Sequence, residues 1–348
     1  MNNAGVMEID ALIHRWRDLR VLVIGDVMLD EYRVGEVARV SPEAPVPVIR
    51  VDGVRQALGG AGNVARNIQS LGARCDLVGV IGNDAEGESL LGAMAEAELD
   101  SKGIIRSDSR PTTHKMRIVA GTQQMARLDR ESTADLTERE RSALDVVIEE
   151  RLAGCDLVVL EDYDKGLFAG GLAHRVIRAA KAREVPVIAD PKSELHRFRG
   201  AQLVKPNLAE ALAFVGASEE EADIEVSLGA RARVLEKLRE QLGGGEIVVT
   251  RGSAGMTALD HEGGVFDVPT QPLAVYDVQG AGDTAVAALA LAWVAGASLA
   301  EACIVANAAA SVAVEKVGTA AVSSEELRAR WPNVRRAGVS DAARLGES

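Results

Sequence analysis

Short apolar, β-branched runs alternate with longer segments of helical period along most of this chain, and that alternation restricts its fold more than any other feature. The runs occupy residues 21–25, 77–81, 157–160, 185–190, 202–205 and 246–251, and the helical segments 61–71, 86–97, 137–153, 170–183 and 224–242. Strands separated by helices can pair in parallel, because each crossover lays a helix on a face of the sheet. Residues 21–25 are apolar throughout, as a strand covered on both faces requires. Aromatic residues make up only 3% of a chain that is 47% hydrophobic, so Ala, Val, Leu and Ile must fill the interior. The expected fold class is α/β, with a central, mostly parallel sheet and helices on both of its faces.

One region breaks the alternation. Residues 31–57 carry Pro42, Pro45 and Pro47, a strand-like segment at 46–51 and no helical period. With strand-like segments at 115–120 and 125–129, they predict a small antiparallel β lid formed by about 31–57 and 113–130. Such a lid can cover a site, and its open edge tends to find a partner. Residues 283–297 and 299–317 read as two consecutive buried helices, and the chain after Pro332 is polar. The expectation is one domain over 1–335 and a frayed tail over 336–348.

The chain has 52 Asp and Glu against 39 Lys and Arg, a formal charge of −13. That argues against nucleic acid or an anionic membrane as the main partner. A small anionic ligand would need a local cluster of Arg and Lys. Cys75, Cys155 and Cys303 are widely spaced, with no C-x-x-C, and read as small hydrophobes of a reducing compartment. The opening MNNAGVMEID lacks the basic flank and apolar run of a signal peptide, and the Ala-rich stretch 283–297 is too short to span a bilayer. A cytoplasmic protein is expected.

The sharpest chemical signal is DVQGAGDTAVAA at 277–288. Gly280, Ala281 and Gly282 are small and precede an apolar helix. Backbone N–H groups at such a helix start have no partner one turn earlier and aim outward with the positive end of the dipole, which makes an anion site. An ordinary Gly-rich turn with an acidic cap is the plainer alternative, but a cap needs no run of small residues before it. A carboxylate beside an anion site suits phosphoryl transfer, which needs the phosphoryl positioned, its charge stabilised and a base for the attacking hydroxyl. Gly280, Ala281 and Gly282 answer the first two needs, and Asp283 the third.

Three further groups support a polyol and nucleotide site. In LGGAGNVARNIQSLGA (58–73), Gly59 and Gly60 lead into a helix on which Asn63 and Asn67 share a face, as groups that both donate and accept should for sugar hydroxyls. The G-x-G-x-x-A within it follows the Pro-rich excursion rather than a first strand, so NAD is rejected. Asp26 and Asp30, EDYDKG (161–166) and DPK (190–192) follow strand ends, where parallel sheets bind ligands. Each acid alone reads as a turn residue; together they favour a polyol. KPNLAE (205–210) and VTRG (249–252) also follow strands, with Lys205 and Asn207 as phosphate contacts and Glu210 as a Mg²⁺ holder through water. No P-loop, H-x-G-H or H-E-x-x-H occurs.

In this order the stretches resemble the PfkB/ribokinase family of carbohydrate kinases. Residues 58–73 are similar to its amino-terminal signature, and 277–288 to its carboxyl-terminal signature, with Val278 where Thr is common. KPNLAE is similar to its N-x-x-E magnesium motif, and the likeness spans residues 21–317. GDVMLDEY, RVSPEAPVPV, EDYDKG and DPK further resemble the branch acting on D-glycero-β-D-manno-heptose 7-phosphate, in the stand-alone form without a fused adenylyltransferase. The resemblance implies a ribokinase-like fold, transfer of the ATP γ-phosphoryl to O1 of that sugar in the making of ADP-heptose for the lipopolysaccharide core, and a homodimer formed through the lid.

On that footing Asp30, Gly59, Gly60, Asn63 and Asn67 would hold hydroxyls, with Asp129, Asp162 and Asp190 as further polyol candidates. The sugar phosphate would draw on Arg39, Lys115, Arg117, Arg127, Lys165 or Lys192. ATP would lie along Lys205, Asn207, Thr250, Gly252, Gly255 and Asn307, with Ala211 and Asn307 near adenine, Mg²⁺ at Glu210, and K⁺ as a further candidate cation. Two rivals stay open: another sugar, sugar-phosphate or nucleoside kinase of the same fold, and a non-catalytic sensor on that fold.

Overall fold

The structure is a computed structural model, and it describes residues 8–121, 123–217, 227–270, 276–316 and 318–338. Strand β1 (Arg20–Gly25) is flanked in parallel by β4 (Arg74–Gly82) on one side and β8 (Leu157–Asp162) on the other. Next to β4 lies β5 (Ile104–Ser107). Beyond β8 come β9 (Val187–Pro191), β10 (Leu203–Val204) and β11 (Glu246–Thr250), all parallel. An antiparallel hairpin, β12 (Met256–Leu259) and β13 (Val265–Val268), completes a nine-stranded sheet.

The apolar run of β1 divides between two cores. Val21 and Val23 pack on one face with α1 (Ile9–Trp16), α2 (Ala61–Leu71), α3 (Ala85–Glu96), α8 (Ala281–Val294) and α9 (Leu299–Ala313). Leu22 and Ile24 face the other core, shared with α4 (Glu138–Leu152), α5 (Leu172–Lys181), α6 (Leu208–Val215) and α7 (Leu228–Gln241). Every residue of α8 from Asp283 to Ala292 is buried, the condition of a helix enclosed on all sides. Its Ala-rich sequence lets it lie close to α2 and α9. No helix among the described residues is long and apolar enough to cross a membrane.

The second sheet is the lid. Its order is β3 (Pro47–Gly60), β2 (Val27–Val40), β6 (Thr113–Ala120) and β7 (Gln123–Arg130). The β2–β3 and β6–β7 pairs are antiparallel, while β2 and β6 run parallel. The excursion is more regular than its prolines predict: β2 and β3 form a long hairpin whose roots adjoin β1 and α2, so the lid grows directly out of the sheet edge that carries the strand-end acids.

The α/β class and its lid are as expected. The sequence reading did not find α1, β5, α6 or the β12–β13 hairpin. It also ended regular structure near Pro332, whereas α10 (Ser324–Gly338) runs through that residue and past 335. The helix ends read at Ile224 and Val317, the first residues of MNNAGVMEID (1–7), and the tail from 339 lie outside the described residues.

Candidate active site

The chain reverses direction across the sheet between β1 and β8. That is the switch point at which open α/β sheets form a crevice. Asp26, directly after β1, is buried there and braces the loop after β8: its Oδ2 accepts the backbone N–H groups of Tyr163 (2.9 Å) and Lys165 (3.1 Å). Burial raises the Asp26 carboxyl above its ordinary value, and these two bonds oppose the rise.

Helix α8 aims its first turn at the same crevice. Gly280 is the cap, left-handed at φ 72°, and an added Cβ would lie 2.7 Å from Nδ2 of Asn63. Ala281 N–H donates to Val278 O (3.3 Å) and Thr284 N–H to Gly280 O (2.9 Å), which leaves the amides of Gly282 and Asp283 at the helix head. Gly282 is exposed, with nothing within 4 Å of a Cβ placed on it. Asp283 is not the cap itself. Its side chain turns inward, 4% exposed, where Oδ2 accepts from Nδ2 of Asn63 (2.7 Å) and Oδ1 from the hydroxyl of Tyr163 (2.6 Å). Burial pushes the carboxyl up, and these two donors favour its ionised form. An ionised carboxylate has about four acceptor positions, so two remain for a further donor.

Asn63 is aligned in turn by Asn67, whose Nδ2 donates to the Asn63 backbone oxygen (2.9 Å) and to its Oδ1 (3.2 Å). Asn67 Oδ1 accepts from Thr284 Oγ1 (3.1 Å) and the Val322 N–H (3.1 Å). Both asparagines are fully buried. The shared face expected of them is real, and it turns to α8, where Asn63 meets Asp283 and Asn67 meets Thr284.

In front of Asp283 lies a cavity of about 230 Å³ into which β8, β9, β10 and β11 deliver their last residues. Lys205 Nζ sits 2.7 Å from Asp190 Oδ2. Burial works against the lysine's charge, yet the Asp190 carboxylate holds it above its ordinary value. Glu161 is 2% exposed, and its Oε2 has no hydrogen-bond partner among the described residues. Burial, with the Asp190 and Asp283 carboxyls nearby, pushes it well above the usual range. Asp162 is also buried, with Oδ1 accepting the Asp164 N–H (2.8 Å) and Oδ2 only within 3.9 Å of Arg197; burial and Asp26 raise it to about 7. Asn207 caps α6, and Glu210 closes a capping box with it (2.7 and 2.9 Å). Burial lifts Glu210 to about 6. Thr250, bridged to Asn207, completes this wall.

A lone buried oxygen on Glu161, with Asp190 and Glu210 on the same wall, fits a hard divalent cation. Among the described residues no group of three such side chains closes on a metal by itself.

The lid approaches at Tyr163, and none of the described residues that line the cavity belongs to it. Asp30 Oδ1 pairs with Arg117 Nη1 at 2.5 Å, both buried, and a Cβ on Gly59 would lie 2.5 Å from Asp30 Oδ2. Gly60 is left-handed at φ 55°, the joint between β3 and α2. Arg117 also stacks over Tyr32, 5.2 Å from the ring centroid. Lys115 and Lys192 each stand over the Tyr163 ring, at 5.2 and 5.8 Å, and Lys165 Nζ meets Glu131 at 2.9 Å.

The fold thus gathers Asp30, Gly59, Gly60, Arg117, Lys165 and Lys192 with Asp162, Asp190, Lys205, Asn207, Glu210, Thr250 and the head of α8. It does not bring in every expected residue. Asp129 is paired with Arg127 (2.9 Å) on β7, and Arg39 is exposed far out on β2. Gly252 and Gly255 form the turn after β11, while the amide of Asn307 donates to Val268 O (3.0 Å) and so ties α9 to β13. Sequence reasoning missed Tyr163 and Glu161. Both lie inside EDYDKG, and a tyrosine among strand-end acids in so aromatic-poor a chain was the available signal.

Comparison with known proteins gives the family and the fold. The family model described as "pfkB family carbohydrate kinase" matches residues 18–327. The chain is 44% identical over 325 residues to a protein of Caulobacter vibrioides named "Bifunctional protein HldE", covering 92% of this chain and 65% of that protein. It is 43% identical over 316 residues to the protein of the same name from Pseudomonas aeruginosa, covering 90% and 64%. The chain therefore spans less than two thirds of the length of these relatives. Among solved structures, Escherichia coli phosphofructokinase-2 in complex with potassium superposes with a TM-score of 0.72 at 22% identity, covering 91% of this chain and 99% of that one. Arabidopsis thaliana ribokinase complexed with ribose and ATP gives 0.69 at 22%, covering 90% and 98%. At that identity both speak for the ribokinase-like fold alone.

Proposed function

The chain belongs to the pfkB family of carbohydrate kinases, and on that premise we propose that it transfers the γ-phosphoryl of ATP to O1 of D-glycero-β-D-manno-heptose 7-phosphate. The product is the 1,7-bisphosphate, a step toward ADP-heptose for the lipopolysaccharide core. One observation carries the reading: a buried carboxylate, Asp283, held by two donors at the head of a helix whose free amides face a cavity lined with Lys205 and acids.

The residues divide the work. The sugar enters between the lid and the sheet edge, with the Asp30 carboxylate and the backbone of Gly59 and Gly60 available to its hydroxyls. Its O1 hydroxyl donates to a remaining acceptor position of Asp283, which takes the proton as the oxygen attacks. Asn63 and Tyr163 keep that carboxylate aimed, so no reorientation is needed in the transition state. The amides of Gly282 and Asp283 face charge that develops on the transferring phosphoryl. Lys205 and Thr250 line the path of the nucleotide. Glu161, Asp190 and Glu210 would hold Mg²⁺, which when bound supplies charge neutralisation between phosphates. K⁺ stays a candidate second cation. Lid closure would exclude water and suppress hydrolysis of ATP.

The lid also exposes Val37, Val40, Val46, Val51, Val54 and Leu128, which supports a homodimer formed through it. Sedimentation at assay concentration should report a dimer, and a monomer would count against that arrangement. The activity is tested by coupled ADP release across ribose, fructose 6-phosphate, heptose and heptose 7-phosphate. The heptose phosphate should give the highest kcat/KM, and a higher value on any of the others replaces it as the substrate.

A further inference from the structure

The lid touches the loop that leads into α8. Tyr32, two residues beyond Asp30 on β2, is 8% exposed, and its hydroxyl donates to Oε1 of Gln279 at 2.7 Å. Burial and the Asp30 carboxylate raise the phenol above its ordinary value, so it stays a donor. The ring also passes close to the loop after α9: a Cβ on Gly318, left-handed at φ 76°, would lie 3.3 Å from Cζ and 3.4 Å from the hydroxyl oxygen. Asp277 ties these two loops to each other, its Oδ1 accepting the Gln279 N–H (3.0 Å) and its Oδ2 the Gly318 N–H (2.9 Å). Gln279 directly precedes Gly280, the cap of α8. Arg117 stands over the Tyr32 ring, 5.2 Å from its centroid, and is paired with Asp30. Asp30 and Tyr32 share a face of β2, as residues two apart on a strand do. A continuous set of contacts thus runs from the carboxylate offered to the sugar to the helix head offered to the phosphate.

We infer that Tyr32 is a positioning residue that fastens the lid to the phosphate-binding loop, so that a sugar bound at Asp30 raises the affinity of the helix head for nucleotide. The inference rests on the kinase reading above and adds a coupling between its two substrate sites. The hydroxyl bond from Tyr32 to Gln279 is the joint. A sugar that engages Asp30 fixes β2 at the point from which Tyr32 projects, and the hydroxyl passes that order to Gln279 and the amides of the first turn. Order imposed by the first ligand need not be imposed again by the second, which gives positive cooperativity with no contact between them. By linkage the nucleotide tightens sugar binding by the same factor. Tyr32 does not line the cavity in front of Asp283, so its effect on turnover passes through Gln279.

Tyr32→Phe, Gln279→Ala and the double variant test this. Phenylalanine keeps the ring beneath Arg117 and removes the hydroxyl. The readout is the calorimetric Kd of a non-hydrolysable ATP analogue with Mg²⁺, with and without saturating heptose 7-phosphate. In the native chain the sugar should tighten the analogue about tenfold, within the usual span of coupling between sites. Each single variant should bring that ratio close to one, and the double variant should go no further, as the two ends of one bond require. A ratio unmoved in Tyr32→Phe while the melting temperature falls would mark a merely structural role and overturns the inference, as does a native ratio of one. If the native chain binds no heptose 7-phosphate, the substrate reading falls separately. Hydrogen exchange of the Gln279, Ala281 and Thr284 amides, all bonded within the loop and first turn, then decides the joint alone in the ligand-free protein. Faster exchange in Tyr32→Phe supports it, and equal exchange overturns it.

Discussion

The hydroxyl of Tyr163 donates a 2.6 Å hydrogen bond to Oδ1 of Asp283, joining the loop after β8 to the first turn of α8. Burial alone would favour the protonated carboxyl, which cannot act as a base. Tyr163 and Asn63 are the two donors that favour the charged form. Tyr163→Phe keeps the ring under Lys115 and Lys192 and removes one donor. The Asp283 carboxyl then rises further, so more of it is protonated at low pH. The acidic limb of the kcat/KM profile should move to higher pH, with a smaller change on the alkaline plateau. A profile that falls uniformly at all pH would show a merely structural role for the tyrosine.

Gly280 and Gly282 are close in sequence and should respond differently to the same change. Gly280→Ala forces a side chain into a left-handed position, at a cost of about 1 kcal/mol, and drives Cβ toward the Asn63 amide that donates to Asp283. It should lower kcat and stability together. Gly282→Ala meets no protein atom, but puts a methyl at the exposed helix head. It should leave the melting temperature unchanged and raise KM for ATP. Equal effects of the two changes on kcat would contradict the division of roles.

The fold was legible where one local pattern implies one environment. β1 reads as central because a strand covered on both faces must be apolar on both, and it is. α8 reads as enclosed for the same reason in helical terms. The lid strands were only half legible, because β2 and β3 expose polar residues on both faces and lack a clean alternation. β12 and β13 are too short to show a period. In the site, GAGD announced the helix head and its acid, since small residues before a carboxylate have few other uses. The roles of Asn63, Asn67 and Tyr163 depend on partners such as Asp283, Thr284 and Val322, far away in the chain. Helical spacing shows that two asparagines share a face, and nothing local says what that face meets.

The acids of the cavity make the nucleotide-free protein sensitive to alkali. Burial holds Asp162 at about 7, with Asp26 adding to it, and burial holds Glu210 at about 6. A carboxyl raised on folding binds more protons folded than unfolded, so its folded state loses stability as pH climbs from the ordinary carboxylate range through the raised value. Glu140, which burial would raise but Ser107 and Thr137 hold at about 2, acts only below that window. Urea midpoints should therefore fall between about pH 5 and pH 8, by on the order of a few kcal/mol in stability. Mg²⁺ with ATP should recover part of the loss, and Asp162→Asn should flatten the dependence. A stability that rises across this range would contradict the burial of these groups in a ligand-free site.

The central claim is that Asp283 takes the proton of the attacking hydroxyl, and its direct test is Asp283→Asn. The amide keeps the shape of the side chain at the head of α8 and cannot accept that proton. ADP release with heptose 7-phosphate should fall by ~10²–10⁴-fold, while calorimetry should show ATP binding at nearly the native affinity. Near-native turnover by the purified Asp283→Asn protein would contradict the account.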